Sequence, residues 1–111
     1  MKVKIKICGV LDHHIISTIS NLNVDYVGLV FFEKSPRNVS IEKAKSIVKY
    51  LNKSTKTVAL TVNATDQFLS NIVTNLSPDY IQLHGKETPY RCFEIKKKFK
   101  TKIIKAISAK S

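Results

Sequence analysis

Hydrophobic and polar residues follow two periods along this chain, and the two periods alternate from one end to the other. Short apolar or strictly alternating runs predict five strands, at about residues 3–8, 25–32, 56–62, 80–84 and 102–108. Apolar residues three or four positions apart predict four helices between them, at about residues 12–23, 40–51, 65–76 and from 88 onward. Ser40 and Thr88 occupy favoured helix-cap positions, and Pro89 suits the first position of a helix.

The regular succession of strand and helix predicts an α/β fold with right-handed β-α-β units and a parallel sheet, in one domain over residues 1–111. Such units build either a doubly wound sheet or a TIM (β/α)8 barrel, of which this chain would be the first four βα units plus strand five. Cys8 shares a strand face with Lys6, and His84 shares one with Gln82 and Tyr80, while the residues between them are apolar. A doubly wound sheet is covered by helices on both faces, so one polar face favours the barrel.

Composition narrows the function classes. The chain has 111 residues, 43% of them hydrophobic, and no apolar run long enough to cross a membrane or to serve as a signal peptide. Its two cysteines do not form a disulfide framework, which predicts a reduced, cytoplasmic protein. The net charge is +11, but only Arg37 and Arg91 are arginine, so a lysine-rich surface that attracts anionic substrates is favoured over nucleic-acid binding.

Polar side chains collect where the predicted strands end. Cys8 ends the first strand, Arg37 follows the second, Asn63 follows the third, and Gln82 and His84 end the fourth. Active sites of parallel α/β folds are built at this carboxyl edge of the sheet. These residues are therefore candidates for catalysis or substrate binding.

Cys8 is the candidate base or nucleophile. Gly9 would let a ligand approach it, and Lys6 on the same face would stabilise a thiolate, lowering a pKa that is ordinarily about 8.5. We expect a lower pKa of Cys8 with Lys6 present than in a Lys6→Met variant. The alternative is a small buried hydrophobe, the commoner role of a free cysteine.

The other candidates also have simpler interpretations. Arg37 suits a carboxylate, but taken alone it is more often an exposed residue before a helix, and His84 taken alone is more often a hydrogen-bonded structural histidine. Asn63 is equally a turn former. His13 and His14 adjoin Asp12 at a helix start, and neither a metal-ligand spacing nor a glycine-rich phosphate loop is present, so no metal or cofactor is expected.

Several blocks of the sequence, taken together and in order, resemble phosphoribosylanthranilate isomerase. They are residues 6–9 (KICG), 28–32 (GLVFF), 34–40 (KSPRNVS), 62–63 (VN), 82–89 (QLHGKETP) and 104–107 (IKAI). Each block is weak alone, but their order and spacing over the whole chain are specific. The resemblance implies a (β/α)8 barrel of tryptophan biosynthesis that needs no cofactor or metal.

The resemblance also implies a reaction and roles for individual residues. The family converts N-(5-phosphoribosyl)anthranilate into 1-(2-carboxyphenylamino)-1-deoxyribulose 5-phosphate by an Amadori rearrangement. By this resemblance Cys8 is the general base that takes the proton from ribose C2, and Arg37 binds the anthranilate carboxylate. Gln82 and His84 line the pocket, with Lys6 and Asn63 as further candidates for substrate contact.

One departure from the family pattern is large. The family's general-acid aspartate follows a later strand, its phosphate loops follow strands seven and eight, and this sequence stops at Ser111. We therefore expect the 111-residue chain alone to be essentially inactive, and to self-associate or pair with a complementing C-terminal half. The alternative is a non-catalytic half-barrel that serves binding or assembly, and a basic nucleic-acid binder is a third hypothesis.

Overall fold

The computed structural model describes residues 25–51 and 53–105, together with the backbone of residues 6–8. Five strands and three helices lie in this part of the chain. In order they are β1 (Lys6–Cys8), β2 (Tyr26–Phe31), α1 (Ile41–Val48), β3 (Lys56–Thr61), α2 (Asp66–Leu76), β4 (Tyr80–Leu83), α3 (Pro89–Phe99) and β5 (Lys102–Lys105). The helix predicted at residues 12–23 and the ends of the first and fifth predicted strands lie outside the described residues.

The five strands form one parallel sheet in the order β1-β2-β3-β4-β5. Each described strand thus pairs with the strand that precedes it in the chain, and the direction of winding never reverses. A doubly wound sheet has a switch point where strand order reverses, whereas a barrel adds its strands in sequence. Strand order therefore confirms the α/β prediction and selects barrel-type winding over the doubly wound alternative.

Local sequence explains where the three described helices begin. Ser40 Oγ accepts a hydrogen bond from the Lys43 N–H, Thr65 Oγ1 from the Phe68 N–H, and Thr88 Oγ1 from the Arg91 N–H. Each hydroxyl satisfies a backbone donor that the first helical turn leaves without a partner. The predicted caps at Ser40 and Thr88 are confirmed, and Pro89 occupies the first turn of α3 as predicted.

The second predicted helix ends three residues earlier than expected, at Val48 rather than Leu51. The Tyr50 and Leu51 N–H groups donate to the carbonyls three residues back, at Ile47 and Val48, so the chain tightens out of the α-helical pattern. Leu51 still packs against the core. Its apolar character therefore marks burial and not membership of the helix.

One face of the sheet packs against the helices. One core cluster joins the sheet to α1 and α2 and contains Val27, Leu29, Phe31 and Ala59 from the strands, Ala44 and Ile47 from α1, and Ile72 from α2. A second cluster contains Ile81 and Leu83 from β4, Leu69 from α2 and Ile95 from α3. Fully burying one such aliphatic side chain is worth roughly 1.5–3 kcal/mol, so these contacts fix which face each strand turns toward the helices. The helices are thereby held outside the sheet.

The opposite face, here called the inner face, carries the alternate residues of each strand. Tyr26 and Tyr80 meet edge to face on it, with ring centroids 6.0 Å apart, and Lys102 Nζ lies 5.7 Å from the Tyr80 ring centroid. Gln82 lies on it, as predicted from its alternation with Ile81 and Leu83. The inner face is not polar throughout, because β3 contributes Val58 and Leu60, which pair in register with Tyr80 and Gln82.

Within the described residues, no helix has the length and apolar character needed to cross a membrane.

Candidate active site

The parallel strands all end at one edge of the sheet, and the predicted site residues lie on β1 and β4 or in the loops that follow β2, β3 and β4. Cys8 is the last residue of β1, and its Cα pairs with that of Gly28 on β2. Gly28 contributes no side chain to the inner face at this position. Lys6 pairs with Tyr26, two residues back along the same strand. The proposed effect of Lys6 on the pKa of Cys8 stays a prediction.

Arg37 lies in the loop between β2 and α1, and its side chain is exposed. The loop folds back onto the strand, since the Val39 N–H donates to the Val30 carbonyl over 2.9 Å. Ser35 Oγ accepts the Arg37 N–H at 3.1 Å, which holds the backbone of Arg37 in a defined turn. The guanidinium is thus presented to solvent from an ordered loop, a placement suited to binding an anion.

A cavity of about 450 Å³ opens between this loop and the loop after β3, and a second cavity of about 270 Å³ adjoins it at Asn63. The larger cavity is lined by Phe32, Lys34 and Asn38 from the first loop and by Val62 and Asn63 from the second. Apolar walls with a few polar groups are usual for small-molecule sites. Asn63 belongs to this lining, whereas Arg37 lies on the adjacent surface.

Gln82 and His84 lie two residues apart at the end of β4. Gln82 is half-buried and pairs in register with Leu60 and Ile104, and His84 is exposed immediately after the strand. The His84 N–H donates to the Thr61 carbonyl over 2.9 Å, which extends the pairing between β3 and β4 by one residue. Their backbone positions are fixed by sheet pairing at the edge where Cys8 ends β1.

A charged cluster joins the ends of β3, β4 and β5 at this edge. The sequence pattern did not reveal it. We call Asn63, Gly85, Lys86, Glu87 and Lys105 the rim cluster. Glu87 Oε2 accepts the Asn63 N–H (2.8 Å), and Oε1 accepts the Gly85 N–H (2.9 Å) and Lys105 Nζ (3.0 Å). Lys105 Nζ also donates to the Gly85 carbonyl over 2.6 Å, and Asn63 Oδ1 accepts the Lys86 N–H over 2.8 Å.

The carboxylate of Glu87 stays ionised although its side chain is only 3% exposed. Burial alone raises the pKa of Glu87, but hydrogen bonds from Lys105 and from backbone N–H groups, including that of Asn63, outweigh burial and hold the pKa below the ordinary value of 4.5. The cluster is therefore an ion pair reinforced by amide donors.

Two backbone features of the rim cluster depend on residue type. Asn63 has a φ of 48°, in the left-handed region that asparagine tolerates better than most residues. A Cβ on Gly85 would lie 2.6 Å from Asn63 Oδ1 and 2.9 Å from the Asn63 backbone nitrogen. The turn-forming interpretation of Asn63 is thus confirmed, and its Oδ1 already has a partner in the loop. Substrate contact by Asn63 stays a prediction.

Two features of the sequence are consistent with the rim cluster, although neither is specific enough to predict it. Lys105 is a charged residue inside an apolar strand pattern, and Glu87 falls between a glycine and a helix cap. Within the part of the chain that the structure describes, no group of three or more His, Cys, Asp or Glu side chains could hold a metal ion.

Comparison with known proteins places these features in a family. The family model for N-(5'-phosphoribosyl)anthranilate (PRA) isomerase matches residues 5–111. The isomerase of Parvibaculum lavamentivorans is 44% identical over 107 residues, which is 96% of this chain and 50% of that protein. The isomerase of Bradyrhizobium diazoefficiens is 42% identical over 107 residues, 96% of this chain and 48% of that protein.

Solved structures of this family superpose on the chain. The phosphoribosyl anthranilate isomerase of Thermotoga maritima superposes with a TM-score of 0.82 at 30% identity, over 96% of this chain and 51% of that one. A phosphoribosyl anthranilate isomerase in complex with reduced 1-(o-carboxyphenylamino)-1-deoxyribulose 5-phosphate superposes with a TM-score of 0.85 at 29% identity, over 99% of this chain and 56% of that one.

The chain spans about half the length of the relatives it matches. Its sheet corresponds to about half of a TIM barrel, as the resemblance implied. From the match over residues 5–111, the winding of the sheet and the superpositions, the chain belongs to the N-(5'-phosphoribosyl)anthranilate isomerase family.

Proposed function

We propose that this chain forms the first half of the barrel of a phosphoribosylanthranilate isomerase of tryptophan biosynthesis, located in the cytoplasm. The substrate would be N-(5-phosphoribosyl)anthranilate and the product 1-(2-carboxyphenylamino)-1-deoxyribulose 5-phosphate. The observation that carries the proposal is the register of the sheet: Cys8 ends β1 beside Gly28, at the edge to which β4 brings Gln82 and His84. A family match over nearly the whole chain supports it.

In this proposal Cys8 acts as the general base. Protonation of the ring oxygen opens the furanose and leaves an iminium at C1. The Cys8 thiolate then removes the C2 proton, and the electron pair of that C–H bond forms the C1–C2 double bond of an enolamine. Tautomerisation, with proton return at C1, gives the ketone. A cation near the thiolate, the role given to Lys6, would keep the base ionised at neutral pH.

Arg37 would hold the anthranilate carboxylate by a two-pronged hydrogen bond, a geometry that its planar guanidinium allows. Its exposure on an ordered loop supports this role, because the group is presented to solvent. Gln82 and His84 would line the sugar side of the pocket from the inner face of β4. A phosphate on the substrate is also consistent with the net charge of +11.

The general acid is assigned to the part of the family barrel that these residues do not span. Among the described aspartates, Asp25 and Asp79 precede their strands at the amino edge of the sheet. Asp66 begins α2 and is held by Arg91 (2.7 Å) and Lys98 (2.9 Å), and these partners lower its pKa, which does not suit a proton donor near neutral pH. We propose the same location for the phosphate-binding loops.

Replacing Cys8 tests the proposed reaction. In the full-length isomerase that carries this chain, Cys8→Ala should lower kcat for N-(5-phosphoribosyl)anthranilate about 10²–10⁴-fold, the range that one general base supplies. Cys92→Ala is the matched control, because Cys92 is the other cysteine and lies on α3, outside the sheet. Equal turnover by the Cys8 variant and the wild type would contradict the proposed role.

The non-catalytic half-barrel remains the second candidate, because β1 and β5 are the edges of the described sheet and Ile104 on β5 is 38% exposed. An open edge with an apolar face favours pairing with another chain. We expect the 111-residue chain to be inactive alone and to self-associate, or to pair with a complementing C-terminal half. Sedimentation equilibrium over a range of concentrations checks this, and a monomer with a sharp, concentration-independent melt would contradict it.

A further inference from the structure

We propose that Glu87, with Lys105, is a positioning residue that sets the substrate-binding edge of the sheet. Its effect on turnover rests on the proposed isomerase function, whereas its structural part does not. Among the hydrogen bonds of Glu87 given above, the one to a predicted substrate-binding residue comes from the backbone N–H of Asn63. This one carboxylate fixes the loops that carry predicted substrate-binding residues.

Each carboxylate oxygen of Glu87 accepts a hydrogen bond from a different loop. Oε2 accepts the Asn63 N–H from the loop after β3, and Oε1 accepts the Gly85 N–H from the loop after β4. Lys105, the last residue of β5, binds both Oε1 and the Gly85 carbonyl. One side chain thus joins three successive strand ends of the sheet.

The hydrogen bonds that Glu87 accepts from the two loops and from Lys105 need an ionised carboxylate. Glu87 receives three donors on two oxygens, from two backbone N–H groups and one ammonium group. A glutamine of the same shape has one carbonyl oxygen and an NH₂ group that is itself a donor, so one loop would face a donor in place of an acceptor. Glu87→Gln therefore removes one of the two loop contacts and the charge that holds Lys105.

The backbone of His84 connects the rim cluster to the site. His84 immediately precedes Gly85, whose N–H and carbonyl are both bound within the cluster. On the other side, the His84 N–H is bound to the Thr61 carbonyl. The backbone on both sides of His84 is therefore fixed, and Gln82 lies two residues back on the same strand. Releasing Gly85 would move the binding side chains while leaving Cys8, three strands away, in place.

The kinetic test separates binding from chemistry. In the full-length isomerase that carries this chain, Glu87→Gln should raise KM for N-(5-phosphoribosyl)anthranilate about tenfold, the factor that corresponds to about 1.4 kcal/mol, and change kcat less than about threefold. Lys105→Met should do the same, and the double variant should be no worse than either single one, because both belong to one cluster. Glu94→Gln is the control, since Glu94 is a more exposed carboxylate paired with Arg91 on α3.

A second readout needs no turnover. In the 111-residue chain, Glu87→Gln should speed amide hydrogen exchange at least tenfold relative to the wild type at Asn63, at Gly85 or at both, because the glutamine can accept from only one of the two loops. Exchange at the capped Phe68 and Arg91 N–H groups should not change. Faster exchange at all four amides would show general loosening and would overturn the proposal. Unchanged exchange at Asn63 and Gly85, or an unchanged KM in an active isomerase, would also overturn it.

The two readouts also separate this proposal from the proposed function. A full-length wild type that folds but does not turn over the substrate would contradict the isomerase function and, with it, the kinetic part of this inference. The exchange measurement would still decide whether Glu87 holds the two loops.

Discussion

At the scale of single residues, the rim cluster joins side chains that are distant in sequence. Asn63 and Glu87 are 24 residues apart, and Glu87 and Lys105 are 18 apart. The sequence pattern located Asn63, Gln82 and His84 correctly at one edge, because each follows or ends a strand. It could not reveal that Glu87 is buried, because a glutamate between a glycine and a helix cap is ordinarily exposed.

The ionisation of Glu87 predicts a specific pH dependence of stability. The pKa of folded Glu87 lies below the ordinary value of 4.5, so its stabilisation is complete above that pH and is lost as pH falls through the folded-state pKa. The free energies of unfolding of wild type and Glu87→Gln in urea should therefore differ most near pH 7, begin to approach each other as the pH falls below about 4.5, and converge only below the lower pKa of folded Glu87. Asp66, whose pKa is also lowered, is present in both proteins and cancels from the comparison. A difference that grows on acidification would contradict the prediction.

At the scale of elements, the starts of the helices were predictable because the hydrogen bonds that cap them join residues close together in the sequence. The caps of α1, α2 and α3 each join a hydroxyl to an N–H three residues later, so their positions could be recognised directly in the sequence. The end of α1 was predicted wrongly because Leu51 continues the apolar spacing beyond the last helical residue. Strand order was not predictable from periodicity alone, which left the doubly wound sheet open until pairing was known.

Element pairing at the amino edge of the sheet should affect stability without affecting the site. Asp79, just before β4, accepts the Thr57 N–H of β3 at 2.8 Å, and its own N–H donates to Thr57 Oγ1 at 3.3 Å. Asp79→Ala leaves the N–H of the buried Thr57 without that acceptor, which should cost about 1–3 kcal/mol of unfolding free energy. Denaturant titration measures this cost, with the exposed Glu42→Ala as control.

In the full-length isomerase proposed above, the same Asp79 variant should leave KM for the proposed substrate unchanged, because the amino edge of a barrel serves stability and the carboxyl edge serves catalysis. This outcome is the opposite of that expected for Glu87→Gln, where KM changes. A shifted KM in the Asp79 variant would mean that the two edges are coupled through β3 and β4.

At the scale of the whole molecule, the packing of the inner-face side chains differs between an open sheet and a closed barrel. Val30, Leu60, Gln82 and Ile104 lie in one register row across β2 to β5. Ile104 is 38% exposed here. The interior of a closed barrel is filled by layers of side chains drawn from all its strands, so this row would be packed from the other side in a full-length isomerase.

Ile104→Asn should therefore have two different costs. In the proposed full-length isomerase, where the closed barrel would bury Ile104, the change removes a buried aliphatic side chain and buries an amide, which should lower the free energy of unfolding by about 2–4 kcal/mol. In the 111-residue chain, at concentrations low enough to keep it monomeric, the half-exposed position should cost less than about 1 kcal/mol. Urea titration of both proteins gives the two values. Ile95→Asn, on the helix-covered side and 1% exposed, is the matched control and should be costly in both. Equal costs of Ile104→Asn in the two proteins would mean that the inner face of β5 is not covered when the barrel closes.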